Sequence, residues 1–433
     1  MRILYKILFY FALPLIFIRL CWKSRREPAY RQRFGERLGF YPFQLDHCIW
    51  IHAVSMGETL AAVPLIKALK THYPNIPFLV TTMTPTGSER VKIAFGDSVK
   101  HVYLPYDFSF GVKRFLKAMR PRIGIIMETE LWPTLLAECA HQHIPVCLVN
   151  ARLSAKSAKG YERIQPLARQ MLEDLTLIAA HGEVDAKRLM ALGAKEDRTI
   201  VTGNIKFDLV LPDNLIEKSK TLRESLGENR FVWIAASTHE GEEEIVLAAH
   251  QQLREINPHA LLILVPRHAN RFDAIAALCQ QSFMTARRSK QEKCTEEIAV
   301  YLGDTMGELL SLYGAADVAF VGGSLIPRGG HNMLEPGALQ KPIVTGPHLF
   351  NFAEISELFF SANAMVKVHD AASLSNQLIV WMKDADERLQ MGERALQVVA
   401  ANRGALAKQL NELNRLLSLT LSSTKNMEER GQS

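Results

Sequence analysis

The sequence predicts an α/β protein of two doubly wound halves behind an apolar N-terminal helix. Three observations carry this. Short apolar runs alternate with helical patterns along most of the chain, as in a parallel sheet covered on both faces. The alternation resets once, at 207–214, where Pro212, Asp213 and Asn214 break it. The length of 433 residues, with 48% hydrophobic and 22% charged side chains, exceeds one ordinary core and suits two.

The first element is an uninterrupted apolar run over 7–18. Arg2 and Lys6 precede it, and Arg19, Lys23, Arg25 and Arg26 follow. No small-residue cleavage site comes after, so 1–24 reads as a retained membrane anchor, with the basic flank on the cytoplasmic side. The run is shorter than the roughly 20 residues of a comfortable span, but Lys6 and Arg19 could snorkel. Spanning and lying flat are both open.

Strands follow at 48–54, 78–82, 99–104, 123–127, 146–150, 175–180 and 199–202, with clear helices at 59–69 and 133–141. This gives an N-terminal domain over 25–210. A second series has strands at 231–236, 261–265, 299–302, 318–322, 343–345 and 365–368. It gives a C-terminal domain over 211–420, helical from Asp386 onward, and then a polar tail over 421–433.

The composition narrows the partners. A net charge of +6, from 51 Lys+Arg against 45 Asp+Glu, suits anionic substrates or a membrane surface and is too mild for nucleic-acid binding. The six cysteines include no Cys-x-x-Cys pair, which fits a reduced protein without zinc. The sole Asp-x-Asp, Asp384-Ala-Asp386, sits in a late helical stretch and reads as surface charge, so no metal is expected.

Site chemistry concentrates where strands run into loops. Phe320-Val-Gly-Gly-Ser-Leu-Ile-Pro-Arg-Gly-Gly-His-Asn-Met-Leu-Glu-Pro-Gly-Ala338 leads from a strand through four glycines into a helix start, a pattern suited to phosphate. Glu335 is expected one turn inside that helix, within reach of a ribose diol. Glu58 ends the block Trp50-Ile-His-Ala-Val-Ser-Met-Gly-Glu58 and suits both a ligand-facing carboxylate and the last position of a capping box begun by Ser55. Glu128 and Glu130 end a buried strand, where a carboxylate needs a partner; Arg152 is one candidate. Lys206, just before the linker, and Arg267, at a strand end, are candidate anion partners, with His268 and Arg271 assisting or capping. Gly303-Asp-Thr-Met-Gly-Glu-Leu309 offers backbone donors at Met306 and Gly307. Arg25, Arg26, Arg31, Arg33 and Arg37 form a basic patch suited to a phosphorylated lipid in the bilayer, with solvated arginines or a domain-packing patch as the alternative.

Two such domains in series resemble the GT-B glycosyltransferase architecture, with acceptor on the first half, nucleotide-activated donor on the second, and ligands meeting between them. Eight blocks in order also resemble the 3-deoxy-D-manno-octulosonic acid (Kdo) transferase family. They are Tyr30-Arg-Gln-Arg-Phe-Gly-Glu-Arg-Leu-Gly39, His52-Ala-Val-Ser-Met-Gly-Glu58, Thr82-Met-Thr-Pro-Thr-Gly-Ser-Glu-Arg90, Met127-Glu-Thr-Glu-Leu-Trp-Pro133, Ser237-Thr-His-Glu-Gly-Glu-Glu243, Pro266-Arg-His268, Gly303-Asp-Thr-Met-Gly-Glu308 and Gly329-Gly-His-Asn-Met-Leu-Glu335. The resemblance implies inverting transfer of Kdo from CMP-Kdo to the lipid A precursor, lipid IVA, at the cytoplasmic face of the inner membrane. It implies no cofactor, since CMP-Kdo is a substrate. It assigns proton acceptance to Glu58 and assistance to Glu128 and Lys206. It maps CMP contacts to Pro266, Arg267, Met306, Gly307, Glu308, Asn332, Met333, Leu334 and Glu335. Another GT-B enzyme or a sugar-nucleotide epimerase would share the glycine loop but leave the anchor unexplained. A non-catalytic nucleotide sensor would leave Glu58 and Glu128 without a task.

Overall fold

Strands covered by helices on both faces lose contact with water on both, so they read as apolar runs rather than alternating ones. In the computed structural model, the strands Ile49–His52 (β1), Phe78–Thr82 (β2), Ile123–Met127 (β4), Val146–Ala151 (β5) and Leu177–Ala180 (β6) are buried at every residue. Lys100–Tyr103 (β3) and Thr199–Val201 (β7) are the partly exposed edges. The structure describes the backbone of residues 1–431, and the side chains of all of these except Arg26 and 421–431.

All seven pair in parallel in the order β3-β2-β1-β4-β5-β6-β7. The order reverses at β1 and β4, and in such sheets ligands bind beyond the strand ends at that point.

The second unit repeats the plan with Val232–Thr238 (β8), Leu261–Pro266 (β9), Thr285–Arg287 (β10), Val300–Leu302 (β11), Val318–Val321 (β12), Ile343–Thr345 (β13) and Met365–Lys367 (β14). Their order is β10-β11-β9-β8-β12-β13-β14, also parallel, with the reversal at β8 and β12. The sequence reading missed β10. It has three residues, two of them Thr and Arg, and presents no apolar run.

The domain boundaries also need correction. The compact units are Met1–Asp208 with the segment from Arg403 onward, and Leu209–Asn402. The expected single helical stretch after Asp386 breaks at Gly404, whose φ is +99°. It forms two helices, Ala385–Ala401 and Ala405–Gly431. The second returns to the first unit, where Ala405, Leu413 and Leu417 pack with Ile49, Ile51 and Leu65 in one buried cluster. The Asp208 carboxylate accepts from the backbone N–H groups of Gly404 and Leu406, both at 2.6 Å. The expected polar tail therefore begins as helix, and its last two residues, 432–433, lie outside the described ones.

The helix Arg2–Arg26 precedes the first sheet and is long and apolar enough to cross a membrane.

Candidate active site

In the first unit, the switch point gathers carboxylates. β1 runs through Ala53 and Val54 into the helix Met56–His72, whose N-cap is Ser55. The expected cap forms: Ser55 Oγ accepts from the Glu58 N–H at 3.4 Å and donates to Glu58 Oε1 at 2.8 Å. The other Glu58 oxygen accepts from the Val54 N–H at 2.7 Å rather than from the N-cap residue's own N–H. Glu58 is only 9% exposed, and burial pushes its carboxyl up to about 7, opposed by these hydrogen bonds and reinforced by the charges of Glu130 and Glu128.

β4, the neighbour of β1, ends at Met127, and Glu128 takes a left-handed conformation with φ +57°. That costs a non-glycine residue about 1 kcal/mol. Its N–H still bonds the Val149 carbonyl at 3.0 Å, and Lys206 Nζ lies 3.4 Å from its Oε1. Glu130 accepts from the Trp132 indole at 2.9 Å, and burial raises its carboxyl.

The Lys206 loop is held from two sides. Buried Asn150 accepts from the Ile205 N–H at 2.9 Å, and Asn204 accepts from the Lys206 N–H at 3.0 Å. The structure thus brings Glu58, Glu128, Glu130 and Lys206 to one sheet edge.

Much of the basic patch is structural instead. Arg37 is 1% exposed, with its guanidinium 4.2 Å from the Tyr103 ring centroid, and Arg33 pairs with buried Glu36 at 2.7 Å. Arg31 reaches the Ser24 hydroxyl at 2.8 Å. Arg25 remains exposed.

In the second unit, the glycine loop is real but its first amides are occupied. Gly322 crosses the end of β8 so closely that a Cβ would lie 2.7 Å from the Ser237 carbonyl oxygen. Fully buried Glu242 then accepts from the N–H groups of Gly323 at 2.6 Å and of Ser324 and Leu325 at 2.9 Å. It also accepts from His239 N–H at 3.1 Å. These amides are therefore not free to meet a phosphate: a carboxylate of the chain already fills them. The block Ser237-Thr-His-Glu-Gly-Glu-Glu243 was the signal, since it places an acid one turn beyond a strand end with no visible cation.

Three imidazoles lie beside the loop. His239 and His331 stack with an interplanar angle of 3° and share an Nε2···Nε2 contact of 2.8 Å. His268 meets His239 edge-on at 5.2 Å. Burial lowers both His239 and His331 to about 4, and the charges of Arg267 and neighbouring groups add to this. Among the described residues no ion pair engages Arg267, whereas Arg271 is bound bidentately by buried Glu243 at 2.6 and 3.2 Å.

Glu335 stands at the second residue of the short helix Leu334–Ala338, not a turn inside it. Asn332 donates to its Oε1 at 3.0 Å. Burial raises its carboxyl, and the Arg267 charge opposes the rise. Met333 and Leu334 turn their side chains into the core, so only their backbone can serve a ligand. Pro266 is buried at the end of β9. Exposed Met306 and Gly307, with φ +84°, precede the helix Leu309–Ala315, while Glu308 is paired with Arg288 at 2.8 Å.

Two doubly wound parallel sheets place the chain in the GT-B glycosyltransferase fold class. It is similar in fold to the crystal structure of a UDP-GlcNAc 2-epimerase from Neisseria meningitidis. That match has a TM-score of 0.56 and 14% identity over 84% of this chain and 98% of that one. A family model described as 3-deoxy-D-manno-octulosonic-acid transferase matches residues 32–209. The 3-deoxy-D-manno-octulosonic acid transferase of Haemophilus influenzae is 43% identical over 95% of this chain and 98% of its own length. That of Bordetella pertussis is 36% identical over 92% and 96%. The chain belongs to the 3-deoxy-D-manno-octulosonic acid transferase family.

Proposed function

We propose that this Kdo transferase takes Kdo from CMP-Kdo and delivers it to lipid IVA in lipopolysaccharide assembly, at the cytoplasmic face of the inner membrane. The observation that carries this reading is Glu58, a desolvated carboxylate at the first unit's switch point with its carboxyl at about 7. A sugar hydroxyl is a poor nucleophile, and a base matched to neutral pH helps most. The acceptor oxygen attacks the anomeric carbon while its proton passes to Glu58. The bond from that carbon to the CMP oxygen breaks, CMP leaves with the electron pair, and the centre inverts.

The donor carries both a phosphate and a sugar carboxylate. Arg267, unpaired among the described residues, and exposed Arg328 supply charge for two anions. Glu335 has an oxygen left for a ribose diol. Lys206, beside Glu128, is assigned to charge developing as the bond breaks. Because the leaving group is a single phosphate met by such cations, the transfer is proposed to need no divalent metal. Asp384 of the Asp-x-Asp accepts from the Glu387 N–H at 2.9 Å as a helix N-cap.

Incubating the purified protein with lipid IVA and CMP-Kdo should give a product heavier by whole Kdo units in a mass spectrum. Transfer from a UDP-sugar but not from CMP-Kdo would defeat the proposal.

A further inference from the structure

The helix Arg2–Arg26 is apolar on every side, and a helix of that kind is not a water-facing surface element. One stripe is docked against the first unit from end to end. In the first turn Arg2 donates to the Gln170 carbonyl at 2.6 Å and pairs with Asp174. Lys6 lies 3.7 Å from Glu138, and Tyr5 packs against the core cluster of the unit. Tyr10 meets Phe108 at 6.4 Å, and Phe17 meets Phe34 and Tyr106 at 5.0 and 5.7 Å. Leu20 is buried, and in the last turn Ser24 receives Arg31.

The opposite stripe is Ile3, Leu4, Ile7, Leu8, Phe11, Leu15, Ile18 and Trp22. Each is at least 49% exposed, and Ile3 and Phe11 reach 77%. Two residues beyond Phe108, exposed Phe110 joins Phe40 with Arg114 over both rings. Arg19, Lys23 and Arg25 are exposed in the last turns.

A helix of 25 residues is about 37 Å long. Upright in a bilayer, it would carry Asp174, Glu138 and the helices they cap or belong to into or across the hydrocarbon, because both ends are fixed to the same unit. Charges there are costly.

We propose that this helix is a fixed part of the first unit and seats it on one leaflet of a lipid bilayer, lying in the interface rather than crossing. The apolar stripe enters the acyl boundary, and the adjoining basic residues meet anionic headgroups, the arrangement of a monotopic protein.

The test uses the full chain with Cys21→Ser and Cys294→Ser, carrying a fluorophore on Leu4→Cys, Phe11→Cys or Ile18→Cys, bound to sealed vesicles of phosphatidylethanolamine and phosphatidylglycerol. Depth quenching should place all three at one shallow depth, and an aqueous quencher confined to the protein's side should give all three equal access. A depth maximum at Phe11, with position 4 reached only from the far side, would overturn the proposal. Phe11→Asp with Ile18→Asp, both solvent-facing, should weaken vesicle binding at least tenfold without moving the melting temperature. Unchanged vesicle binding in that variant would also overturn it. So would failure of the parent chain to bind vesicles while forming concentration-dependent dimers, which would assign the stripe to a second copy.

Discussion

Glu58 holds its place through the Val54 N–H and the Ser55 hydroxyl while burial sets its charge, so position and acidity have separate causes. The pH consequences follow with definite sign. A carboxyl lifted from an ordinary 4.5 to about 7 is increasingly protonated below that value and cannot then accept a proton. The kcat/KM profile should therefore rise with pH through a one-proton limb near 7. Folding stability should move the other way, falling between about 4.5 and 7, because the native state keeps a proton that the unfolded chain has lost. Glu58→Gln should flatten that stability slope; a slope retained in the variant would assign it to another group. For Arg267, whose guanidinium is bound by no carboxylate among the described residues, Arg267→Ala should weaken CMP binding by about 1.5–3 kcal/mol, with lysine rescuing only part. Calorimetric titration with CMP measures this, and unchanged affinity would remove Arg267 from the donor site.

At the scale of elements, the glycine loop after β12 depends on a carboxylate from a different segment. Glu242→Ala leaves the N–H groups of Gly323, Ser324, Leu325 and His239 without their acceptor. Stability should fall by about 2 kcal/mol or more, with CMP affinity falling too. A thermal melt and a CMP titration read the two effects, and a loss of neither would mean that the loop supports itself. This dependence explains what could and could not be read from the chain. Among the described residues most strands announce themselves by apolar runs, and β10 does not because three edge residues need no apolar face. Ser55 and Glu58 could be read as a cap because capping is local. The Glu242 contacts span more than 80 residues, and the loop's own sequence looks the same whether its amides await phosphate or already hold a carboxylate. The return of Ala405–Gly431 to the first unit was hidden for the same reason: its apolar face suits either core equally well.

For the whole molecule, the proposed reaction removes a proton at Glu58 in the first unit and meets developing negative charge with Lys206 and Arg267. If side-chain cations serve as proposed in place of a metal, the transfer rate should be unchanged by EDTA; loss in EDTA and recovery with Mg²⁺ would contradict that assignment. The central claim is that Glu58 is the base, and Glu58→Gln tests it most directly, because the amide oxygen can still accept from the backbone while it cannot take a proton from the acceptor. Turnover of CMP-Kdo and lipid IVA, both saturating, should fall by roughly a hundred- to ten-thousand-fold with CMP affinity retained and no fall in the melting temperature. Near-normal turnover in Glu58→Gln would contradict the account and move the base elsewhere.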